Sequence, residues 1–248
     1  DVEEKNQSAI RREKLGGLQF KDTTYRYPEA DLDTLRGINL FIKEGEKVAI
    51  LGRNGSGKST LMKLASGLFK ASDGLVMYDG VDIRQLHTDD LSRSVGIVLQ
   101  DVQLFSGSVR ENITMGRKEI SQEDLVEAGK LSGLDEFISK IPGGYDLQLS
   151  DGGKGLSGGQ RQSIALARAI VHKPSHFILD EPTSAMDMNA ENLFIHQVGS
   201  ILQNSTMLIV THRMPLLNLV DRIIVMNEGQ IVEDGPKDEI IKKLNQNP

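Results

Sequence analysis

The 248-residue sequence predicts an α/β domain built on a mixed, mostly parallel sheet flanked by helices, with an antiparallel β lobe at its start and a helical insert lobe inside it. Three observations carry this expectation. Short β-rich runs broken by Pro28 and Gly45 fill residues 18–49. An apolar strand at 47–51 leads through a glycine-rich loop into a helical pattern, and later apolar strands alternate with further helical patterns. Alternation of that kind builds a parallel sheet whose crossovers cover its faces.

Taken in order, residues 1–14 are charged and aperiodic and read as a linker, with folding expected to begin near Leu18, after Gly16 and Gly17. The runs at 18–20 and 38–42 are expected strands of the antiparallel lobe. The helix after the glycine loop is expected over 59–68, from the spacing of Leu61, Leu64, Ala65 and Leu68. Residues 121–140 carry Leu125, Ala128, Leu131 and Leu134 at intervals of three and mark the insert, whose limits are drawn at about 101–170. A strand at 96–99, a helix at 157–171, a strand at 176–179, a helix after Asn189 and a strand at 206–210 complete the pattern.

Composition narrows the function. A formal charge of −6, with both signs scattered, provides no basic block for nucleic acid. The absence of cysteine excludes disulfides and thiolate metal sites and suits a reducing compartment. No apolar run approaches the roughly 18 residues needed to span a bilayer. The chain starts at Asp1 without a leader pattern, as an excised piece of a longer polypeptide would.

The chemistry is concentrated in a few short segments. Gly52, Arg53, Asn54, Gly55, Ser56, Gly57, Lys58, Ser59 and Thr60 have the spacing of a P-loop, so the fold core is expected to be that of a P-loop NTPase. Its glycines let backbone N–H groups converge on phosphates at a helix N-terminus, Lys58 adds a point charge, and Ser59 offers a hydroxyl to Mg²⁺. The apolar run Phe177, Ile178, Leu179 ends in Asp180, placed to meet the metal or its water, and Glu181 follows as candidate general base. Alone, Asp180-Glu181-Pro182 also fits a plain strand-to-turn junction. Ser157 is placed as an N-cap ahead of Gly158, Gly159 and Gln160; two glycines in a first turn lower helix stability by about 1 kcal/mol each relative to alanine, which points to an anion approaching bare N–H groups.

In this order the P-loop, Gln100 after its strand, Leu156-Ser157-Gly158-Gly159-Gln160, Ile178-Leu179-Asp180-Glu181-Pro182-Thr183-Ser184 and His212 after the strand 206–210 resemble the nucleotide-binding domain of ABC transporters. The resemblance covers nearly all of residues 18–235 and implies ATP and Mg²⁺ as ligands, with ATP hydrolysis as the activity. It implies a head-to-tail dimer in which ATP on one P-loop is closed over by residues 157–160 of a second copy. By position, Tyr27 stacks on adenine, Gln100 meets Mg²⁺ and the attacking water, His212 contacts the terminal phosphate and Asp187 links the two sites. Tyr25 is close enough to compete for the first role; Tyr27 is preferred because it precedes Pro28.

Residues 25–28 with Leu35-Arg36-Gly37, residues 100–105 and 109–113 resemble the exporter branch, in which membrane and ATPase domains share one polypeptide. Residues 82–86, 152–156, 183–187 and 219–223 are similar to bacterial type I protein secretion ATPases. That resemblance implies residues 1–15 as the tether from a membrane domain, residues 16–248 as the ATPase domain, and a seat on the cytoplasmic face of the bacterial inner membrane. It extends the partners to a periplasmic adaptor and an outer-membrane channel, with no nucleic acid. Ser150-Asp151 stands where exporters commonly carry Gly-Glu, and Met186 where leucine is usual. The rival readings are a soluble ABC ATPase that remodels a ribosome or DNA complex, which usually has two motor domains or a coiled-coil insertion, and a GTP switch, for which no Asn-Lys-x-Asp segment is present.

Overall fold

A computed structural model describes residues 9–12, 14–184 and 186–246. The antiparallel lobe is a four-stranded sheet in the order β2-β1-β4-β5, formed by β1 (Leu18–Tyr25), β2 (Leu35–Ile42), β4 (Asp73–Tyr78) and β5 (Val81–Asp82). The central sheet has six strands in the order β12-β11-β3-β10-β9-β6. Its members are β3 (Lys47–Gly52), β6 (Val95–Val98), β9 (His176–Asp180), β10 (Thr206–Val210), β11 (Arg222–Asn227) and β12 (Gln230–Pro236). All its pairings are parallel except that of β11 with β12. A small pair, β7 (Gly107–Ser108) and β8 (Gln148–Leu149), lies in the insert.

The central strands β3, β10 and β9 are covered on both faces, which is why they read as continuous apolar runs, whereas the edge strand β12 alternates. Val48 and Ile50 of β3, with Leu208 and Val210 of β10, pack toward the antiparallel lobe and α1 (Lys58–Ala65), in a core that includes Phe20, Leu61 and Met62. Ala49, Met207, Ile209, Phe177 and Leu179 point the other way. They meet the helical side, built from α3 (Val109–Thr114), α4 (Gln122–Leu131), α5 (Asp135–Ile138), α6 (Gly158–Ile170) and α7 (Met188–Ile201). The remaining helices are α2 (Thr88–Ser94) and α8 (Lys237–Gln246). Leu61 is fully buried, and truncating it to alanine is expected to lower stability by about 2–5 kcal/mol.

Several boundaries differ from the sequence expectation. The helix expected over 59–68 stops at Ala65, because Gly67 turns left-handed (φ 75°) and its N–H returns to the Leu64 carbonyl; Leu68 is left 55% exposed. The expected helix over 121–140 is two helices, broken where Gly133 also turns left-handed (φ 70°). Residues spaced by three drift around a helix by about 60° per step, so Leu131 swings toward solvent while Leu125, Ala128 and Leu134 stay buried. The strand expected at 96–99 is Val95–Val98.

The expectation that order begins only near Leu18 is corrected. Leu15 is buried, and the Ile10 N–H donates to the Gln85 carbonyl while the His87 N–H donates to that of Ile10. The Arg12 N–H and the Arg11 guanidinium both reach the buried Asp90 carboxylate. The Asp79 carboxylate accepts the N–H groups of Gly16 (2.7 Å) and Gly17 (2.9 Å), and His176 Nε2 lies 2.6 Å from the Gly16 oxygen. Charge and lack of periodicity hide such a segment, since backbone groups make most of these bonds. Residues 1–8 of the expected linker, Glu13, and Ala185 of the run after Glu181 lie outside the described residues.

Candidate active site

Four parallel strands end together on one edge, and the candidate residues follow those ends. The P-loop follows β3, His212 follows β10, Glu181 follows β9 and Gln100 follows β6, and in the sheet β3, β10, β9 and β6 are consecutive neighbours. Register aligns the ends: Val210 pairs with Ile50 on one side and with Asp180 on the other. Ligands of open α/β sheets bind beyond the carboxyl ends of such strands. Here a cavity of about 580 Å³ opens there, lined among others by Tyr27, Asn54, Lys58, Gln100, Glu181 and His212. Gly55, Gly57, Ser59, Thr60 and Asp180 also border it.

The loop has its shape because two of its glycines cannot be replaced. Gly52 (φ 148°) lies so close to β11 that a Cβ would overlap the Met226 carbonyl, and a Cβ on Gly57 (φ 99°) would strike Leu35 and the Thr34 oxygen. Lys58 lies largely within the protein and donates to the Gly52 (2.8 Å) and Arg53 (2.9 Å) carbonyls, which holds its ammonium at the loop's mouth. Burial pulls that ammonium below lysine's ordinary range, against the opposing pull of Glu181 and Asp180. Gly52, Arg53 and Ser56 form the loop but do not line the cavity.

Two buried oxygens, Ser56 Oγ and Asp180 Oδ1, have no hydrogen-bond partner among the described residues. Burial pushes the Asp180 carboxyl above the usual range, opposed by the Ser59 hydroxyl, Lys58 and Lys63. An acceptor-only oxygen left unmatched beside a hydroxyl suits a hard cation and its water, so Ser59 and Asp180 fit Mg²⁺. Glu181 takes a left-handed backbone (φ 47°), strained for a side chain of its kind, and its N–H donates to the Val210 carbonyl at 2.9 Å. The turn aims its carboxylate at His212, whose Nε2 is 3.3 Å away. Burial raises the Glu181 pKa and the neighbouring histidine opposes the rise.

The two tyrosines separate. Tyr25 is buried and stacks on Phe69 at 5.2 Å, whereas Tyr27 borders the cavity, edge-on to Tyr25, with its hydroxyl 3.1 Å from Thr60 Oγ1. Ser157, Gly158, Gly159, Gln160 and Asp187 are not part of the same cavity. Ser157 caps α6 in a reciprocal box with Gln160: its Oγ accepts the Gln160 N–H at 3.2 Å, and Gln160 Oε1 accepts the Ser157 N–H at 2.9 Å. Asp187 caps α7 through the Ala190 N–H.

Sequence reasoning missed Glu191. This carboxylate on α7 is 4% exposed, accepts the Thr183 hydroxyl at 2.7 Å and meets Arg213 at 3.3 Å, so it joins the turn after Glu181 to the turn after His212. Between Ala190 and Asn192 in a first helical turn a lone glutamate looks like a solvated charge, and only the packing of α7 against those turns reveals it. Thr34 and Val210, which also line the cavity, carry no sequence signal beyond their strands.

A family model described as ABC transporter matches residues 35–184. The chain is 43% identical over 227 residues to the leukotoxin export ATP-binding protein LtxB of Aggregatibacter actinomycetemcomitans, covering 92% of this chain and 32% of that protein. It is 40% identical over 242 residues to the alpha-hemolysin translocation ATP-binding protein HlyB of Escherichia coli O157:H7, covering 98% of this chain and 34% of that protein. The chain thus spans about a third of the length of the curated relatives it matches. A solved bacterial Atm1-family ABC exporter with ATP bound superposes with a TM-score of 0.84 at 30% identity, over 92% of this chain and 40% of that one. Because the family match takes in more than half the residues, from β2 through the strand-end acids, the chain belongs to the ABC transporter family.

Proposed function

We propose that the chain is the ATP-binding and ATP-hydrolysing motor of an ABC exporter, energising type I secretion of a protein or peptide across a bacterial inner membrane. The observation that carries this reading is the convergence of Lys58, Asp180, Glu181 and His212 on one cavity at the carboxyl edge of the central sheet. The names of these two relatives, an export and a translocation ATP-binding protein, favour export over remodelling of a ribosome or DNA complex.

In this reading the loop N–H groups and Lys58 hold the phosphates, and Tyr27 takes the adenine. Ser59, Gln100 and Asp180 would hold Mg²⁺, which when bound neutralises charge on the phosphate oxygens. Glu181 orients the attacking water and accepts its proton on a carboxylate already kept basic by burial. His212, beside that carboxylate, contacts the terminal phosphate. Residues 157–160 and Asp187 lie apart from this cavity, which supports a head-to-tail dimer in which a second copy presents its capped α6 terminus to the nucleotide.

The domain limits follow from the same reading: residues 16–248 as the motor, the insert at about 101–170 within it, and residues 1–15 as the connection to a membrane domain of the same polypeptide. Relatives about three times as long support that partner; the motor would then sit on the cytoplasmic face, with a periplasmic adaptor and an outer-membrane channel beyond it. The test is Glu181→Gln. Turnover is expected to fall by at least about a hundredfold while ATP binding persists and an ATP-dependent dimer accumulates in light scattering. Hydrolysis at the parent rate would sink this assignment.

A further inference from the structure

The stretch that follows Gln100 is held in an unusual way. Three successive carbonyls, those of Gln103, Leu104 and Phe105, are each bound by a different part of the insert. The Gln103 oxygen accepts from Arg168 Nη1 at 3.0 Å, the Leu104 oxygen from the Gly152 N–H at 2.9 Å, and the Phe105 oxygen from Asn112 Nδ2 at 2.9 Å. Asn112, fully buried on α3, also accepts the Phe105 N–H at 3.1 Å and so clamps that residue from both sides.

Arg168 sits at the centre of this arrangement. It lies on α6, the helix whose N-terminus is residues 157–160. Besides Gln103, its Nε donates to the Asn112 carbonyl at 2.7 Å and its Nη2 to Asn112 Oδ1 at 3.2 Å, and the guanidinium lies 5.9 Å from the Phe105 ring centre. Its acceptors among the described residues are two carbonyls and an amide oxygen, with no carboxylate, and burial holds its guanidinium below arginine's usual range. A half-buried arginine whose hydrogen bonds all go to the Gln103 carbonyl and to Asn112, the residue that clamps Phe105, is poorly explained as a surface charge. Its planar fork addresses several acceptors at once, which a lysine ammonium on a flexible stem does not.

The segment just before this anchor is differently placed. Gln100, Asp101, Val102 and Gln103 border a second cavity of about 240 Å³, whose far wall is Gly158, Arg161 and Gln162 at the start of α6. Gln100 thus stands between the fixed end of β6 at Val98 and the anchored carbonyl of Gln103, with open space beside it.

We propose that Arg168 is a positioning residue that sets where Gln100 stands by fixing the carbonyl of Gln103 to α6. The consequence is that the helix presenting residues 157–160 and the loop presenting Gln100 move as one body. This rests on the reading of the chain as an ATP-hydrolysing motor in which Gln100 serves the metal and the water. Misplacing a reacting group by about 1 Å can reduce turnover by about a hundredfold, so an anchor remote from the nucleotide is able to control rate.

The test is a double-mutant cycle in ATP turnover with the whole chain: parent, Arg168→Met, Gln100→Ala and both together. Arg168→Met is expected to lower kcat by about tenfold or more with KM for ATP within about twofold, because the loop that binds phosphate is untouched. Arg168→Lys, able to reach one carbonyl, is expected to fall between. In the Gln100→Ala background the Arg168→Met penalty should vanish to within about twofold, whereas penalties that multiply would overturn the proposal. Amide hydrogen exchange gives a readout independent of turnover: the Phe105 N–H, accepted by Asn112 Oδ1, and the Gly152 N–H, which donates to the Leu104 carbonyl, should exchange faster in Arg168→Met while α1 does not, and unchanged exchange there would also overturn it. Should Arg168→Met fail to fold, Arg168→Lys carries the same cycle and the same exchange measurement. Glu181→Gln run alongside separates the two failures: if it abolishes turnover while the cycle is multiplicative, the motor reading stands and the anchoring role falls.

Discussion

His212 Nε2 lies 3.3 Å from Glu181 Oε1, across the gap between two neighbouring strand ends. The contact joins the candidate base to a basic side chain that follows β10, and it shapes how the site responds to pH. Burial raises the Glu181 pKa, and the histidine opposes that rise. A base that must be ionised loses activity as pH falls through its own pKa. The acid limb of the kcat profile is therefore expected above the ordinary carboxylate range, and His212→Ala should move it to still higher pH. A limb that stays in place after that substitution would remove the contact from the mechanism.

The neighbouring carboxyl gives a stability prediction. Asp180 has its pKa raised by burial, and its Oδ1 is unpartnered. A group whose folded pKa exceeds its unfolded value adds stability below the unfolded pKa, and that contribution is lost as pH rises through the folded one. At neutral pH the ionised Asp180 is thus a liability of the nucleotide-free chain. Asp180→Asn should raise the melting temperature at neutral pH, by about 2–4 °C for each kcal/mol recovered, with the gain shrinking in acid below the ordinary carboxylate range. Calorimetry at two pH values checks both sign and trend, and a lower melting temperature at neutral pH would contradict the burial argument.

Glu191 should matter to rate without touching nucleotide. It links Thr183 to Arg213, and these flank Glu181 and His212 in sequence. Glu191→Ala leaves the Thr183 hydroxyl and the Arg213 guanidinium without this acceptor, a loss of about 1–3 kcal/mol. Steady-state kinetics should show kcat reduced by about tenfold with ATP affinity little altered. An unchanged kcat would reduce Glu191 to a packing residue.

The entry segment gives a fourth prediction. Asp79 accepts two backbone N–H groups, those of Gly16 and Gly17, and takes a left-handed backbone itself (φ 50°). Asp79→Ala strands both donors and is expected to lower unfolding free energy by about 2–4 kcal/mol in urea titrations. Asp79→Asn, which keeps one acceptor and tolerates positive φ, should lose less. Equal losses for the two would mean that the hydrogen bonds are not what anchors residues 16 and 17.

What the sequence by itself determined is local. The P-loop lies between a strand and a helix because a run such as Val48-Ala49-Ile50 must bury both faces and glycine alone tolerates the turns at 52 and 57. Strand β10 has the expected bounds, and Ser157 caps α6 as its side chain and the Gln160 three residues on require. These features follow from chemistry within a few residues, which a linear reading sees in full. The helix ends after Ala65 and near Gly133 were misjudged because apolar spacing continues past a glycine that turns the backbone left-handed. Only the tertiary structure decided that strand ends far apart in sequence align, bringing Asp180 opposite Val210 and Glu181 to His212. It alone buried Glu191, docked Ile10 against Gln85 and His87, and set Arg168 against the Gln103 carbonyl and Asn112. Each of those depends on sheet order and on helices packed from distant parts of the chain, and a polar residue in sequence looks the same whether it faces water or a buried carbonyl.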